Sequence, residues 1–405
     1  MTPFRSPAFR RLWCSSLAST LATGIERTTT AWLALELGGG AVTIGLIFAA
    51  RMLPSLLFAL AAGTIADRAE RPRQLLAVSG AALLLMATFG WLVATGSLRV
   101  WQVVVFAFAA GCLMVFDTPA RQALVLDTVP REAAPSALAL TALVGRFANA
   151  LGALGAGVLI PRIGAARCYL VIAMAYAVAA LLAATLRMPQ AQRVLVALPP
   201  FSRAFRDAAR LMIDVPAVRT LFVAGIACEI FAFSHMSALP LFAQDVLATG
   251  AEGLGTLNAA LAMGGACAVA LLALLPARLE RQPLLGAIFL VYGLSIVALA
   301  ATRELAVAAA VLVVTGCCAG AFDVLLQTLI QMAVPDEQRG RAVGVWMLGL
   351  GSAPVGHLEM GVMIAALGPP TALLINGALT VAAAAALLAR APDYRWTRWA
   401  RPTPD

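Results

Sequence analysis

Four carboxylates, Glu26, Asp117, Glu229 and Asp323, stand inside long apolar runs of this 405-residue chain. Four arginines share that setting, Arg27, Arg51, Arg121 and Arg146, together with His235, His357 and Glu359. A charge at that depth in a bilayer costs about 2.5 kcal/mol or more unless it meets water or a partner, so each is a functional candidate. Burial also makes a carboxylate easier to protonate, which is what a proton-binding group needs. The chemistry open to this set is proton uptake, ion pairing and recognition of a polar solute. Catalysis has no comparable signal: no GxSxG, HExxH or paired metal-ligand motif occurs.

The rest of the composition narrows the choice. All 29 basic residues are arginine, so there is no P-loop lysine to reach a nucleotide's phosphates and no Schiff-base lysine. Two histidines are too few for a histidine-rich metal site, and the seven cysteines include no CxxC. Scattered through apolar runs, they read as packing residues, not as a disulfide framework. No metal or cofactor is implied, and the chain does not read as an enzyme.

These groups need helices to carry them. Apolar residues make up 61% of the chain and charged ones 12%, against about 25% charged in a soluble domain. Such a chain is a polytopic membrane protein with the lipid bilayer as its solvent. Apolar runs separated by turn clusters predict twelve spans near 10–35, 41–66, 74–95, 101–126, 135–160, 167–187, 217–244, 252–276, 284–302, 306–331, 342–366 and 370–389. The first is expected to be an uncleaved span, since its apolar run continues past Glu26 and Arg27. With a cytoplasmic N-terminus, 21 arginines fall in inner segments and 4 in outer loops. That bias predicts both termini inside. The net charge of +9 is therefore a topology signal and not a nucleic-acid footprint.

The chain also resembles itself. PAFRRL at 7–12 returns as PAVRTL at 216–221, and Arg68-Ala69-Glu70-Arg71 returns as Arg278-Leu279-Glu280-Arg281. Gly111-Cys112, Gln122, Leu124, Val129, Pro130 and Glu132 match Gly316-Cys317, Gln327, Leu329, Val334, Pro335 and Glu337. A duplicated six-span unit follows, with a site between the repeats. The expected division is a first six-helix bundle over 1–188, a linker over 189–216, a second bundle over 217–390 and a tail over 391–405. Within the linker Phe201, Phe205, Ala208 and Met212 share one helical face, predicting an amphipathic helix on the inner leaflet.

Between spans 2 and 3 the chain reads Gly63-Thr64-Ile65-Ala66-Asp67-Arg68-Ala69-Glu70-Arg71-Pro72-Arg73. This resembles the signature loop of the major facilitator superfamily, with Glu70 in place of the usual glycine. Asp117-Thr118-Pro119-Ala120-Arg121-Gln122-Ala123, followed by Asp127-Thr128-Val129-Pro130-Arg131-Glu132, is similar to a stretch found in its enterobactin-exporter-like and macrolide-efflux-like branch. The resemblance covers residues 5–390. It implies an all-α fold of twelve transmembrane helices in two pseudo-symmetric bundles. It also implies a bacterial inner membrane location and proton-coupled export of a small amphipathic drug, siderophore or secondary metabolite, by a protein acting as a monomer. Span 5 adds a partial match to a glycine-rich antiporter motif at Gly145, Gly152, Gly155 and Gly157. A plainer account is close helix packing by Ala148, Gly152 and Ala156.

The resemblance places spans 1, 4, 7 and 10, one candidate carboxylate on each, around a central cavity. Glu26 is the first choice for the proton carrier, with Asp117, Glu229 and Asp323 behind it. Thr23, Thr30, Arg51, Arg146, Asn149, His235, Gln327, His357 and Glu359 are expected to line the substrate cavity. Gly63, Asp67, Arg68, Arg71, Arg73, Arg121 and Asp127 are expected to form a gating loop. In it, Asp67 would sit against a positive helix N-terminus. An importer or uniporter of the same fold, and a non-transporting sensor or enzyme, stay open as alternatives.

The arginine bias gives a direct expectation. Cysteines placed in loops 36–41 and 247–251 should react with impermeant reagents from outside, while those at 193 and 397 should react only after the membrane is opened. Reversed labelling at either pair would overturn the orientation.

Overall fold

The structure is a computed structural model that describes residues 3–68, 70–186, 201–274 and 281–390, apart from the side chains of 59–68, 201–205, 273 and 281. The described residues are almost entirely helical. In order they form α1 (Pro7–Glu36), α2 (Ala41–Arg68), α3 (Arg71–Ala94), α4 (Val100–Thr128), α5 (Ala134–Ala184), α6 (Phe201–Asp214) and α7 (Pro216–Ala227). There follow α8 (His235–Leu241), α9 (Gly250–Leu274), α10 (Arg281–Ala301), α11 (Leu305–Met332), α12 (Arg339–Leu350), α13 (Ala353–Leu367) and α14 (Pro369–Ala389).

Ten stretches among the described residues are long and apolar enough to cross a membrane. One of them, Arg131–Ala184, is 54 residues long and crosses twice, because Gly164 breaks α5 with φ 78° and ψ 161°. That backbone is open only to glycine. The thirty-residue α1 is long enough to span, although its polar stripe makes it less apolar than the ten. The total is the twelve crossings the sequence predicts.

Two spans are less regular than their apolar runs suggest. The seventh is α7, a π-helical turn at Cys228–Ala232, α8, and a second π-helical turn at Phe242–Val246. Pro240 lies inside α8 and has no N–H to give the helix ladder. The eleventh is broken into α12 and α13 at Gly351-Ser352, with Pro354 just inside α13.

The internal repeat is carried into three dimensions. Pro7 and Pro216 each open a helix, as the repeated hexapeptide requires. Pro130 and Pro335 both have φ −58° and cap short 3₁₀ turns, Arg131–Ala133 and Asp336–Gln338. Gly368 (φ 80°, ψ 162°) repeats the break at Gly164, a pair the sequence comparison did not find. Even the close approaches match: a Cβ on Gly111 would collide with the Arg51 carbonyl of α2, and one on Gly316 with the Leu261 carbonyl of α9.

Packing within the first six spans sets α1 along α5, α2 against α4 and α3 against both α4 and α5. In the last six, α9 packs on α11 and α10 on α14. The two most extensive contacts between the sets are α5 with α9 and α2 with α13. Both are glycine approaches near the end that carries Gly38, Gly164, Gly250 and Gly368. A Cβ on Gly255 would stand 2.7 Å from the Ala153 carbonyl and from Gly157 Cα, and one on Gly45 2.6 Å from the His357 carbonyl. Gly152 does the same against Leu21 and Gly24 of α1, and Ala148 and Ala156 are buried, so this part of span 5 serves close packing. Gly145 and Gly155 face open space.

Helix α6 forms where the linker was expected to be amphipathic, but its apolar side faces protein. Ala208 and Leu211 are buried in the main core, α6 lies against α12, and Asp207 is 3.8 Å from Arg341. Residues 187–200, 275–280 and 391–405 lie outside the described residues, and with them much of the expected linker and the tail.

A leucine at Gly255 should force α5 and α9 apart at this end. A cysteine at Asn258, whose amide now reaches Thr28 at 3.2 Å across the same junction, should then label several-fold faster with an impermeant reagent. An unchanged rate would show that the glycine contact does not hold this end shut.

Candidate functional site

The residues predicted to do chemistry separate into three groups. The first is built on α1, whose polar stripe follows the helical repeat. Glu26 is 1% exposed and receives Arg51 of α2, 7% exposed, at 2.7 Å. The Thr30 hydroxyl donates to the same carboxylate at 3.0 Å and lies 2.8 Å from the Tyr169 hydroxyl. One turn earlier, Thr23 meets Tyr176 at 3.2 Å. Further along the same face, Arg121 of α4 is bonded to Asp117 at 2.5 Å and donates to the Ser15 and Ser16 hydroxyls at 3.2 and 3.3 Å. Arg51 is thus held by an acid of α1, and Arg121 by an acid one turn away on its own helix and by two hydroxyls of α1.

A cavity of about 180 Å³ lies between these two ion pairs. Glu26, Arg51, Asp117, Thr23, Asn149 and Tyr176 face it, with Ser19, Ser79 and Thr118 adding hydroxyls and Val78, Met86 and Leu113 an apolar wall. The buried Arg51 Nε and Ser79 hydroxyl have no hydrogen-bond partner among the described residues. Unsatisfied donors in a roomy polar cavity make it a place for water or for a polar ligand group.

The second group repeats the pattern without the cations. Glu229, in the first π-helical turn, and Asp323 of α11 line a tight pocket of about 10 Å³ with Phe222, Phe233, Phe322 and Trp346. Asp323 accepts from the Trp346 indole at 3.3 Å. Among the described residues neither acid has a cation within ion-pair distance. Gln327, one turn beyond Asp323, is half-buried and joins neither pocket.

The third group lies where α8, α13 and α14 meet. Asn376 donates to Glu359 at 3.0 Å and to Ser234 at 3.1 Å, and His357 Nδ1 lies 3.3 Å from the Ser237 hydroxyl. His235 is fully buried, with Nδ1 2.6 Å from the Ala232 carbonyl. This network is separate from the first cavity, so the expected substrate residues do not form one continuous wall. Arg27 and Arg146 are half-buried and have no ion pair or hydrogen bond with a described residue.

Of the expected gating loop, Arg71 reaches Asp127 at 2.6 Å, tying the start of α3 to the end of α4, and Arg73 meets Glu70 at 2.8 Å on the surface. The side chains of Gly63, Asp67 and Arg68 lie outside the described residues. The sequence reading missed Tyr169, Tyr176, Ser79, Trp346 and Asn376. A signal existed for two of these: only four tyrosines occur, and Tyr169 and Tyr176 are seven apart, on one face of span 6.

A family model described as transmembrane secretion effector matches residues 1–396. The chain belongs to this family of major facilitator transporters. Among curated relatives, the staphyloferrin A transporter of Staphylococcus aureus is 23% identical over 388 residues, covering 91% of this chain and 92% of that protein. The multidrug efflux pump Tap of Mycobacterium tuberculosis is 25% identical over 377 residues, covering 90% and 88%. Among solved structures, a bacterial homologue of the human lysosomal transporter Spinster, inward-facing and unoccupied, aligns over 99% of this chain and all of its own, with TM-score 0.74 and 16% identity. The nucleoside transporter NupG aligns over 95% and 98%, with TM-score 0.75 and 12% identity. These structures share the fold. The protein is a multi-pass membrane transporter of the major facilitator type, with efflux proteins among its relatives.

Removing one partner of a buried pair leaves an uncompensated charge. Arg51→Met should therefore lower stability in detergent by about 3–5 kcal/mol. The double change Glu26→Gln/Arg51→Met should recover most of that loss. Thermal unfolding of the three proteins checks this, and an additive double variant would mean that the pair is not coupled.

Proposed function

We propose that this transporter exports a small amphipathic molecule across a bacterial inner membrane in exchange for protons, by alternating access, as a monomer with both termini cytoplasmic. The observation that carries the reading is the set of carboxylates at bilayer depth, Glu26 and Asp117 facing a polar cavity and Glu229 and Asp323 facing a second pocket. A relative named as a multidrug efflux pump supports the direction, and it and the staphyloferrin A transporter support a small-molecule cargo. With the N-terminus inside, the glycine-tight end is the outer one, and the arrangement fits an inward-facing state.

The two pairs of acids suit different tasks. Protonating Glu26 would break its bridge to Arg51 and release α2 from α1, which links proton binding to helix movement. Asp117 steadies Arg121 one turn along α4, and Arg121 in turn reaches Ser15 and Ser16 of α1, consistent with a gating role for that pair. Among the described residues Glu229 and Asp323 meet no cation, and they can exchange a proton without such a rearrangement. We assign proton carriage to these two and the conformational response to Glu26–Arg51.

Growth of a pump-deleted host on a drug and siderophore panel, with and without a protonophore, should give resistance that the protonophore abolishes. In everted vesicles Glu229→Gln and Asp323→Asn should cut substrate-induced proton release at least tenfold, and Glu26→Gln should abolish driven transport while the protein still inserts. Full proton release in all three variants would overturn the coupling assignment, and protonophore-insensitive uptake would favour an importer or uniporter.

A further inference from the structure

The interior holds more positive charge on its first-half wall than that wall can neutralise. Arg51 and Arg121 are bonded to Glu26 and Asp117. Arg27 on α1 and Arg146 on α5 have no hydrogen bond or ion pair with any described residue, yet both lie well inside membrane spans. An arginine in hydrocarbon is kept for a partner or for water, because leaving it bare costs several kcal/mol.

Both positions front the opposite set of helices. The Arg146 guanidinium occupies space left by Gly265 of α9, where a Cβ would stand 2.6 Å from Nη1. Arg27 directly precedes Thr28 of α1, whose hydroxyl Asn258 of α9 reaches at 3.2 Å, so this level of α1 meets the opposite set. Their spacing follows from the register of two helices that run in the same direction. Gly24 of α1 packs on Asn149, and Gly152 packs on Leu21 and Gly24. Arg27 thus lies one turn beyond that contact and Arg146 one turn before it, on the order of 10 Å apart along the helix axis.

The chain's own acids are occupied or remote. Glu359 is held by Asn376, and Asp323 is held by Trp346 in a tight pocket shared with Glu229. A guanidinium matches a carboxylate as a planar two-point donor, which makes arginine the suited residue for a carboxylate ligand. We propose that Arg27 and Arg146 together bind the acidic groups of the cargo, so that the transported molecule is an amphipathic organic anion with at least two separated acidic groups. This deepens the export reading and rests on it for direction, but ligand binding itself requires neither direction nor proton coupling.

The test uses two dyes with one three-ring frame and opposite charge, measured as fluorescence polarisation on the full-length protein in lipid nanodiscs. Fluorescein at mildly alkaline pH is a dianion, and rhodamine B ethyl ester is a cation. Wild-type protein should bind fluorescein at least tenfold more tightly than the rhodamine ester. Arg27→Gln and Arg146→Gln should each weaken fluorescein at least tenfold and leave the rhodamine ester unchanged or strengthened, with Arg146→Lys intermediate. Unfolding temperatures of the variants separate lost binding from lost folding, and a variant that does not fold is replaced by its lysine counterpart. Preference for the rhodamine ester, equal fluorescein binding in the variants, or binding of neither dye by folded wild-type protein overturns the proposal. Fluorescein binding without dye export from everted vesicles would instead leave the anion site standing and count against the export reading.

Discussion

A charge inside hydrocarbon has no solvent to fall back on, so every ionisable group in these spans must be met by another part of the chain, by water or by a ligand. The Glu26–Arg51 pair is the central case. Its two members come from neighbouring helices, and each is almost fully buried, so the pair fixes how α1 and α2 face one another. Thr30, Tyr169, Thr23 and Tyr176 then extend the bonded face along α1 to the second leg of α5. Asp117 and Arg121 close the other end of that stripe through Ser15 and Ser16. The cavity lies between these two charged pairs, where the polar face of α1 meets α2 and α4.

Helix association in lipid draws little from the hydrophobic effect, because lipid tails are as apolar as leucine. Contact between the two sets of helices therefore rests on small residues that let backbones approach. Gly255 against Ala153 and Gly157, and Gly45 against His357 and Gly361, are such contacts, and both lie at one end of the molecule. A junction made of glycines holds by close van der Waals fit and has few directional bonds to break. Such a seam suits surfaces that must part and rejoin.

Much of this was legible in the residues. Apolar runs and turn clusters placed all twelve spans, because a membrane helix must satisfy its backbone internally and cannot be short. The polar stripe on span 1 was visible from its spacing, and the stripe is where the first cavity formed. Irregular backbone was less legible. Nothing in the apolar run from 217 to 244 distinguishes a plain helix from one with two π-helical turns, since a shifted hydrogen bond leaves composition unchanged. Partner choice was also hidden. Glu26 could have met Arg27, Arg51, Arg121 or Arg146, and only the packing of α2 on α1 and α4 selects Arg51. That His235, His357 and Glu359 gather apart from the Glu26 cavity was hidden for a similar reason: bilayer depth says how costly a polar group is, but not which neighbours share its cost.

The two repeats have kept their backbone and diverged in their charges. Gly111 and Gly316, Pro130 and Pro335, and Gly164 and Gly368 hold matching positions, because each meets a steric demand that is the same in both copies. The acids do not match in this way. In the first copy Glu26 and Asp117 each hold an arginine, whereas Glu229 and Asp323 in the second face aromatic side chains. A bonded acid couples proton binding to helix position, because the proton and the arginine compete for one carboxylate. An acid that holds no arginine can take and give a proton with little movement. A duplicated scaffold that carries one pair of each kind has, in separate places, the group that exchanges the proton and the bridge whose rupture moves helices. The interface between the copies is then where the two must communicate, and it is also where Arg27 and Arg146 stand without an acid of their own.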